Sequence, residues 1–269
     1  MDEVDVAAGR KRGCLAIVLG MAAVLALLAG IAAWAWLHYQ RFADTPVAGT
    51  PAPSLQVERG DGFRTVLRKL RTAGIDTGHD IEWQLLARQM DAAGRLKVGE
   101  YALAPELSPR ELLQRMRDGR VIHYRVTLVE GWNFRQVRAA LAAAEPLRHE
   151  TADLDDAALM AALGVAGQHP EGRFLPETYL YQQGDSDLDV LRRAHAAMVT
   201  ALAQAWEGRK PGLPLASTEE ALILASIVEK ETGKASERRQ IAGVFARRLQ
   251  KGMLLQTDPT VIYGMGSTY

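Results

Sequence analysis

Cysteine is nearly absent from this sequence, and the other residues that commonly bind metals are dispersed. Cys14 is the single cysteine, so no disulfide can form within the chain. The six histidines are far apart, and no two of them are separated by four positions. A Cys/His cluster with the spacing of a metal site is therefore missing, and the sequence predicts no metal and no cofactor.

Neither sign of charge is in excess. The 32 lysines and arginines balance 32 aspartates and glutamates. The chain thus lacks the basic field that would attract the phosphates of a nucleic acid. We exclude nucleic acid as an expected partner on this ground.

Charge is missing altogether from residues 14–37. This run of 24 residues is long enough to cross a hydrocarbon core as a helix. Three basic residues, Arg10, Lys11 and Arg12, precede the run, whereas a single arginine follows it closely. Because positive charge is retained on the cytoplasmic side, the sequence predicts a transmembrane helix with residues 1–13 as a cytoplasmic tail and the remainder outside.

Aromatic residues near the end of this run suit the outer membrane interface, namely Trp34, Trp36 and Tyr39. A cleaved signal peptide is the alternative, because Ala32 and Ala33 resemble a cleavage site. The run is longer than the usual apolar region of a signal peptide, about 7–15 residues. We therefore expect a single-pass anchor and keep the cleaved form as the alternative.

Residues 38–53 are predicted to be a linker. The part from 43 to 53 holds three prolines and has no periodicity, which predicts an extended segment that lifts the soluble part off the membrane.

Residues 54–120 follow the linker as a small module. The pattern from 54 to 104 predicts strand, helix, helix and strand, with Asp80 as the cap of the second helix. This order resembles a LysM module, which binds cell-wall glycan. A module of the same shape without a sugar site is the alternative. Ser108-Pro-Arg-Glu111 then predicts a further helix that starts with a capping box.

Residues 121–269 are predicted to be a second, mixed α+β domain. Alternation from 121 to 129 predicts a half-buried strand. Residues 188–206 have the pattern of a long amphipathic helix. Ser217-Thr-Glu-Glu220 is another capping box and predicts the start of the next helix. The fold class expected for the whole chain is therefore α+β, preceded by the transmembrane helix.

The last of these helices carries a carboxylate on an apolar face. Leu224, Ile227, Val228 and Glu231 share one side of a helix. Burial there would disfavour the charged carboxylate and raise the pKa of Glu231, as expected of a general acid near neutral pH. The alternative is that Glu231 extends into solvent from the last turn, because Gly233 follows.

Three strings around this helix resemble the MltG/YceG-like family of endolytic murein transglycosylases. They are ASIVEKET at 225–232, ASER at 235–238 and LQTDPTVIYGMG at 255–266. Two further matches are VEG at 129–131 and EGRFLPETY at 171–179, which has Glu177 where the family more often has Asp. The resemblance covers nearly the whole chain after the apolar run.

The resemblance implies an enzyme that cleaves the glycosidic bond between N-acetylmuramic acid and N-acetylglucosamine in peptidoglycan without water. The product would be a 1,6-anhydromuramoyl end, and the role would be to terminate or trim nascent glycan strands. It further implies a place in the bacterial inner membrane, with the catalytic domain in the periplasm, and work beside cell-wall synthases. The family continues past Tyr269, so the resemblance implies a further segment that lines the cleft.

Glu231 is the catalytic residue that the sequence favours. Transglycosylases more widely have an apolar run, a Glu and a hydroxyl residue, and Glu231-Thr232 fits that pattern. Glu229 lies about 200° around the helix from Glu231, so the two cannot flank one bond. Glu229 and Arg238 are secondary candidates, and Arg238 is expected to pair with a nearby carboxylate. Substrate-binding roles are implied for Gln256, Thr257, Asp258, Tyr263, Glu177 and Tyr179.

Two other functions remain open at this point. One is a non-catalytic peptidoglycan-binding or scaffold protein that uses the LysM-like module. The other is a hydrolase, which would release reducing ends. We expect Glu231 to be partly buried at the floor of a cleft, next to residues 256–263.

Overall fold

A computed structural model describes residues 3–49 and 51–265, with side chains from Leu19 onward. The beginning of the predicted cytoplasmic tail, Thr50 of the predicted linker and Gly266 of the last motif lie outside the described residues. Within them the fold is mixed α+β. The chain divides into two compact units, Met1–Ile122 and His123–Tyr269, and each is described by itself.

The first helix, α1, spans Glu3–Asp44. Within its part from Leu19 to Asp44, the most apolar stretch of 18 residues has a mean hydropathy of 2.0, and none of that stretch is buried within the protein. A helix of this length and composition is compatible with a single-pass membrane anchor, and a signal sequence would have the same character.

The rest of the first unit follows the predicted order of strand, helix, helix and strand. Its elements are β1 (Ser54–Val57), α2 (Phe63–Thr72), α3 (Asp80–Gln89), β2 (Gly99–Ala102) and α4 (Pro109–Asp118). β1 and β2 form an antiparallel pair in which Ser54 lies opposite Ala102 and Val57 opposite Gly99. The cap of α3 is His79 rather than Asp80, because the Glu82 carboxylate accepts from the His79 backbone N–H.

Helix α4 begins as the sequence predicts. The Ser108 hydroxyl accepts from the backbone N–H of Glu111, and the Glu111 carboxylate accepts from that of Ser108. Pro109 occupies the first turn, where a missing N–H costs nothing. Gly119 ends the helix with φ 78°, a left-handed conformation that glycine adopts without steric cost.

The segment after α1 packs against the rest of the first unit. Ala43 and Val47 are 0% and 5% exposed and belong to the core of the unit. The backbone N–H of Val47 donates to Leu107 O, and that of Ala52 donates to Ala73 O. Val47 and these two backbone hydrogen bonds thus hold the segment on the unit. That it lifts the soluble part off a membrane stays a prediction.

The second unit contains one strand pair and six helices among its described residues. They are β3 (Tyr124–Thr127), α5 (Phe134–Ala142), α6 (Asp156–Ala162), β4 (Thr178–Tyr181), α7 (Asp187–Glu207), α8 (Thr218–Glu231), α9 (Ala235–Gln250) and α10 (Asp258–Gly264). β3 and β4 are antiparallel, with Tyr124 opposite Tyr181 and Thr127 opposite Thr178. β3 is shorter than the predicted strand from 121 to 129, and α7 extends one residue beyond each end of its predicted helix.

Two separate apolar clusters hold this second unit together. The larger one joins the inner face of the β3–β4 pair with α5, α6 and α7. The smaller one is formed where α8 packs on α9, and its buried members are Ile227, Val228 and Phe245. Leu224 packs against this cluster, so the apolar stripe predicted on α8 is confirmed, and it fixes the end of α8 against α9.

Candidate functional site

The start of α8 is capped by one half of the predicted capping box. The Ser217 hydroxyl accepts from the backbone N–H of Glu220 at 3.2 Å. The Glu220 carboxylate turns further back and accepts from the N–H of Ala216 at 2.7 Å. Both bonds satisfy donors at the helix start, which otherwise have no partner.

Glu231 is the last residue of α8 and is exposed. The prediction that it is partly buried on the apolar stripe is wrong in this structure. The reason is that the helix ends at once, with Thr232 in an extended conformation (φ −150°, ψ 133°). Thr232 is 8% exposed and takes the buried place four residues after Val228, so Glu231 is turned outward.

The Glu231 carboxylate nevertheless meets the last family string, as expected. The Thr257 hydroxyl donates to Glu231 Oε1. Thr257 is 7% exposed and immediately precedes α10. Its own backbone oxygen accepts from the Thr260 hydroxyl at 2.7 Å. This contact joins strings that are 26 residues apart in sequence, and it anchors a carboxylate whose remaining surface is open.

Glu229 lies on another side of α8 and is held by Arg238. Its Oε2 is 2.9 Å from Arg238 Nη2, and its side chain is 26% exposed, so the pairing expected for Arg238 is confirmed. A Cβ added at Gly131 would lie 3.7 Å from Glu229 Cγ. Glu229 therefore faces the turn that carries the VEG string, and it is less accessible than Glu231. Arg238 Nε is buried without a hydrogen-bond partner in the described part of the chain.

Two polar residues beside Thr257 are exposed. Gln256 has φ 51°, which is a left-handed conformation seldom adopted by residues with a Cβ. Its side-chain oxygen accepts from Arg248 Nη2 at 2.8 Å. Asp258 is the first residue of α10 and is exposed. Both side chains thus flank the threonine that contacts Glu231.

The hydroxyl of Tyr263, on α10, lies within the electrostatic influence of Glu171 in the EGRFLPETY string. Tyr263 is 64% exposed, yet desolvation raises the pKa of its hydroxyl, with the Glu171 carboxylate as the second cause. Glu171 Oε2 in turn accepts from the backbone N–H of Phe134, at the start of α5, at 2.9 Å. Glu171 was not singled out from the sequence as a site residue, although it begins a string that resembles the family.

The same string packs along α8. A Cβ at Gly172, where φ is 72°, would lie 3.4 Å from Leu222 Cδ2. Arg173 Nη2 is 2.7 Å from Glu219 Oε2. The strings at 129–131, 171–179 and 225–238, and the described part of the last string at 255–265, are therefore gathered around a single helix, α8.

Glu177 and Tyr179 differ in their surroundings. Glu177 is exposed, and its carboxylate accepts from the backbone N–H of Thr178 at 3.1 Å. Tyr179 is buried in the core of the unit, and its hydroxyl donates to Leu175 O at 2.7 Å. Burial raises the pKa of the Tyr179 hydroxyl, with Glu177 as the second cause. The structure thus gives Tyr179 a packing position in the core of the second unit.

No group of three His, Cys, Asp or Glu side chains that could hold a metal ion occurs among the described residues. The chemistry that the site offers is that of carboxylates. Glu231 is anchored by one hydroxyl and open to solvent, whereas Glu229 is engaged by a guanidinium.

The fold and site therefore define a mixed α+β protein with an apolar N-terminal helix. The sequence strings that resemble the family lie around one helix, α8, which carries Glu229 and Glu231. The YceG-like family matches residues 55–269, and the chain belongs to this family.

Its curated relatives carry one shared name. The endolytic murein transglycosylase of Bacillus subtilis strain 168 is 27% identical over 201 residues, covering 68% of this chain and 55% of the relative. The endolytic murein transglycosylase of Streptococcus pneumoniae serotype 2 strain D39 is 25% identical over 274 residues, covering 90% of this chain and 49% of the relative. The chain thus spans about half the length of the curated relatives it matches.

A crystal structure of a YceG-like protein from Listeria monocytogenes is also similar. It is 23% identical, with a TM-score of 0.43, over 80% of this chain and 76% of that one.

Proposed function

We propose that the protein is a membrane-anchored endolytic lytic transglycosylase of peptidoglycan. It would cleave the bond between N-acetylmuramic acid and N-acetylglucosamine and leave 1,6-anhydromuramoyl ends, thereby terminating or trimming nascent glycan strands. The observation that carries the proposal is the contact of Thr257 with Glu231. It joins two strings that resemble the family, at a carboxylate that a polymer can reach. The family membership and the names of the relatives support it.

In this mechanism one carboxyl group makes both proton transfers. Protonated Glu231 gives its proton to the leaving glycosidic oxygen while positive charge develops at C1 of the muramoyl residue. The resulting carboxylate then accepts the proton of the muramoyl C6 hydroxyl, whose oxygen closes on C1. One C–O bond breaks, another forms, and no water is consumed. Glu231 ends in its starting protonation state.

Glu231 suits this role better than Glu229 because of access. A proton donor must come within hydrogen-bond reach of the scissile oxygen. Glu231 is exposed, and the described contact with Thr257 uses its Oε1. Its other oxygen, Oε2, can therefore turn toward substrate. Glu229 is occupied by Arg238 on the other side of the helix. We assign Arg238 and Glu229 to holding the start of α9 against α8.

Glycan contacts are proposed for the exposed polar residues near Glu231. Gln256, Asp258 and Tyr263 belong to the string that begins beside Thr257, and Glu177 belongs to the string that packs along α8. Thr257 is proposed to position Glu231 instead of contacting sugar, because its hydroxyl is already engaged. Tyr179 is left out of the set because it is buried.

For the whole chain we propose residues 14–37 as the anchor, 54–120 as a LysM-like module that holds glycan and 121–269 as the catalytic domain. The N-terminus would lie in the cytoplasm, and residues 54–120 and 121–269 would lie in the periplasm, at the inner membrane. Cell-wall synthases are proposed partners because they make the strands that such an enzyme would cut.

The decisive experiment compares two matched variants of the full-length protein, Glu231→Gln and Glu229→Gln. Purified peptidoglycan is digested with each, and the products are analysed by mass spectrometry for anhydromuramoyl ends. General acid-base catalysis contributes about 10²–10⁴-fold, so Glu231→Gln should lower turnover by at least that range while Glu229→Gln keeps measurable activity. The reverse result would move the catalytic role to Glu229.

The same digestion separates the other functions. A hydrolase would give reducing ends and no anhydro ends. A non-catalytic binder would give neither, and the Glu231→Gln variant would still sediment with peptidoglycan.

Topology has its own test. Protease added to spheroplasts should degrade the chain beyond about residue 41, because positive charge precedes the apolar run. Full protection of both units would exclude the proposed orientation.

A further inference from the structure

The end of α1 packs into the core of the first unit, which fixes the helix against the rest of that unit. Phe42 and Ala43 are buried in the core of the unit, and the Phe42 ring packs edge-on against Trp83 at 5.6 Å between centroids. Asp44 Oδ1 accepts from Arg110 Nε on α4 at 2.7 Å. Packing and an ion pair therefore hold the end of α1 directly on α3 and α4 of the same unit.

Helix α3 contacts α1 directly after the apolar run. Glu82 Oε1 is 3.5 Å from His38 Nε2, and the Tyr39 hydroxyl donates to the side-chain oxygen of Gln89. Since each residue adds about 1.5 Å along a helix, His38 and Tyr39 lie within about 3 Å of Leu37, where the run ends. A headgroup layer is about 5–8 Å thick on each side of the hydrocarbon core. If α1 spans the membrane, α3 lies at that depth.

The contacts also show that α3 crosses α1. Glu82 and Gln89 are seven residues apart, which is about 10 Å along α3. They nevertheless contact two neighbouring residues of α1, His38 and Tyr39. If the two helices were parallel, contacts spread over about 10 Å of α3 would also be spread over about 10 Å of α1. The axis of α3 therefore runs across α1, and thus along the plane of a membrane that α1 spans.

The face of α3 that points away from the core is apolar and basic. Ile81 and Leu85 are 67% and 50% exposed, and Arg88 is exposed as well. At about 100° per residue these three share one side of the helix, opposite the fully buried Trp83 and Leu86.

The acidic residues at the start of α3 are already paired. Asp80 Oδ1 is 3.0 Å from Arg71 Nη2, and Glu82 contacts His38 and the backbone of His79. The charge of Asp80 is thus offset by Arg71, and the Glu82 side chain is only 12% exposed, so neither presents much negative charge to an anionic surface.

We propose that Ile81, Leu85 and Arg88 form a lipid-binding face that lies in the outer leaflet of the membrane. The two apolar side chains would enter the boundary between headgroups and acyl chains, and Arg88 would pair with lipid phosphates. The occupant is a lipid surface because the face is continuous with α1 and lies at headgroup depth. The inference rests on the proposed membrane anchor and is independent of glycan cleavage.

The test places a fluorescent probe on this face of the full-length protein. Leu85→Cys is made in a Cys14→Ser background, labelled with bimane and reconstituted as one copy per nanodisc of phosphatidylethanolamine and phosphatidylglycerol. A doxyl lipid quenches from the membrane, and iodide quenches from water. Arg64→Cys is the matched control, because Arg64 is exposed on α2. Ile81→Cys repeats the measurement one turn away from Leu85.

At position 85 we expect lipid quenching about twofold or more above that at position 64, as for a probe about 5–10 Å inside the interface. Iodide should show the opposite order. Equal iodide quenching at positions 85 and 64 overturns the lipid-binding face. If the protein also resists extraction from membranes by carbonate, the proposed membrane anchor is unaffected by that result. Release of the protein from membranes by carbonate overturns both the proposed membrane anchor and the lipid-binding face. If the probe is shielded from iodide only when a disc holds two copies of the protein, the face binds a second chain. That result also overturns the proposed lipid-binding face.

Discussion

Removal of the Thr257 hydroxyl tests whether this residue positions Glu231. Thr257→Val keeps the branched shape of a side chain that is 7% exposed and deletes the donor to the Glu231 carboxylate. The backbone oxygen of Thr257 still accepts from Thr260. The substitution thus changes one polar contact of the site and preserves the start of α10.

The size of the effect follows from the exposure of Glu231. A hydrogen bond to a charged group contributes about 1.5–3 kcal/mol. Water replaces part of this at an exposed carboxylate, so we expect a loss of about 0.5–1.5 kcal/mol in transition-state stabilisation. By the relation between barrier and rate, this is about a 2- to 13-fold decrease in kcat.

The assay measures kcat and KM from the formation of anhydromuramoyl ends. Thr257→Ser is the control, because serine retains the hydroxyl donor. The valine variant should lower kcat with little change in KM, since the lost contact is to Glu231 and not to the glycan. The serine variant should remain close to the parent protein.

Two results would refute the reasoning. Either the valine variant is as active as the parent, or the serine variant loses as much activity as the valine variant. Thermal unfolding of all three proteins checks that the second unit remains folded.

Three further outcomes are expected. Trp83→Ala should lower the free energy of unfolding of the first unit by about 3–5 kcal/mol, as for other buried aromatic residues, which urea titration would measure; a loss below 1 kcal/mol would contradict its full burial. A double-mutant cycle of Glu229→Ala and Arg238→Ala should give a coupling energy of about 0.2–1 kcal/mol, because both side chains are partly exposed; zero coupling would argue against the ion pair. Burial, with Arg173 as the second cause, lowers the pKa of His195, so the unfolded state binds more protons below about pH 6.5. The stability that His195 contributes should be complete above that pH and decline below it, and His195→Gln should flatten the decline in a pH series of urea titrations.

The sequence alone determined the features that depend on short-range periodicity and capping. The apolar run from 14 to 37, the strand-helix-helix-strand order of the first unit and the Ser108 capping box could all be predicted, because each depends on residues within a few turns of one another. The apolar stripe of α8 followed from the same 3.6-residue period. The family strings identified the family without reference to the structure.

The tertiary structure decided what each side chain meets. Glu231 was placed on the stripe by its period, but Thr232 fills the last buried position because the chain turns extended there. Tyr179 belongs to a string that resembles the family, yet the pairing of β4 with β3 directs it into the core.

The same distinction applies to the segment after α1. Three prolines and a lack of periodicity predict a segment without helix or strand, and neither is present in the described residues from 45 to 53. Whether such a segment stands free depends on apolar partners elsewhere in the chain, and Val47 finds them in the core of the first unit. A local pattern fixes the backbone conformation, whereas burial depends on surfaces that are brought together only when distant elements pack.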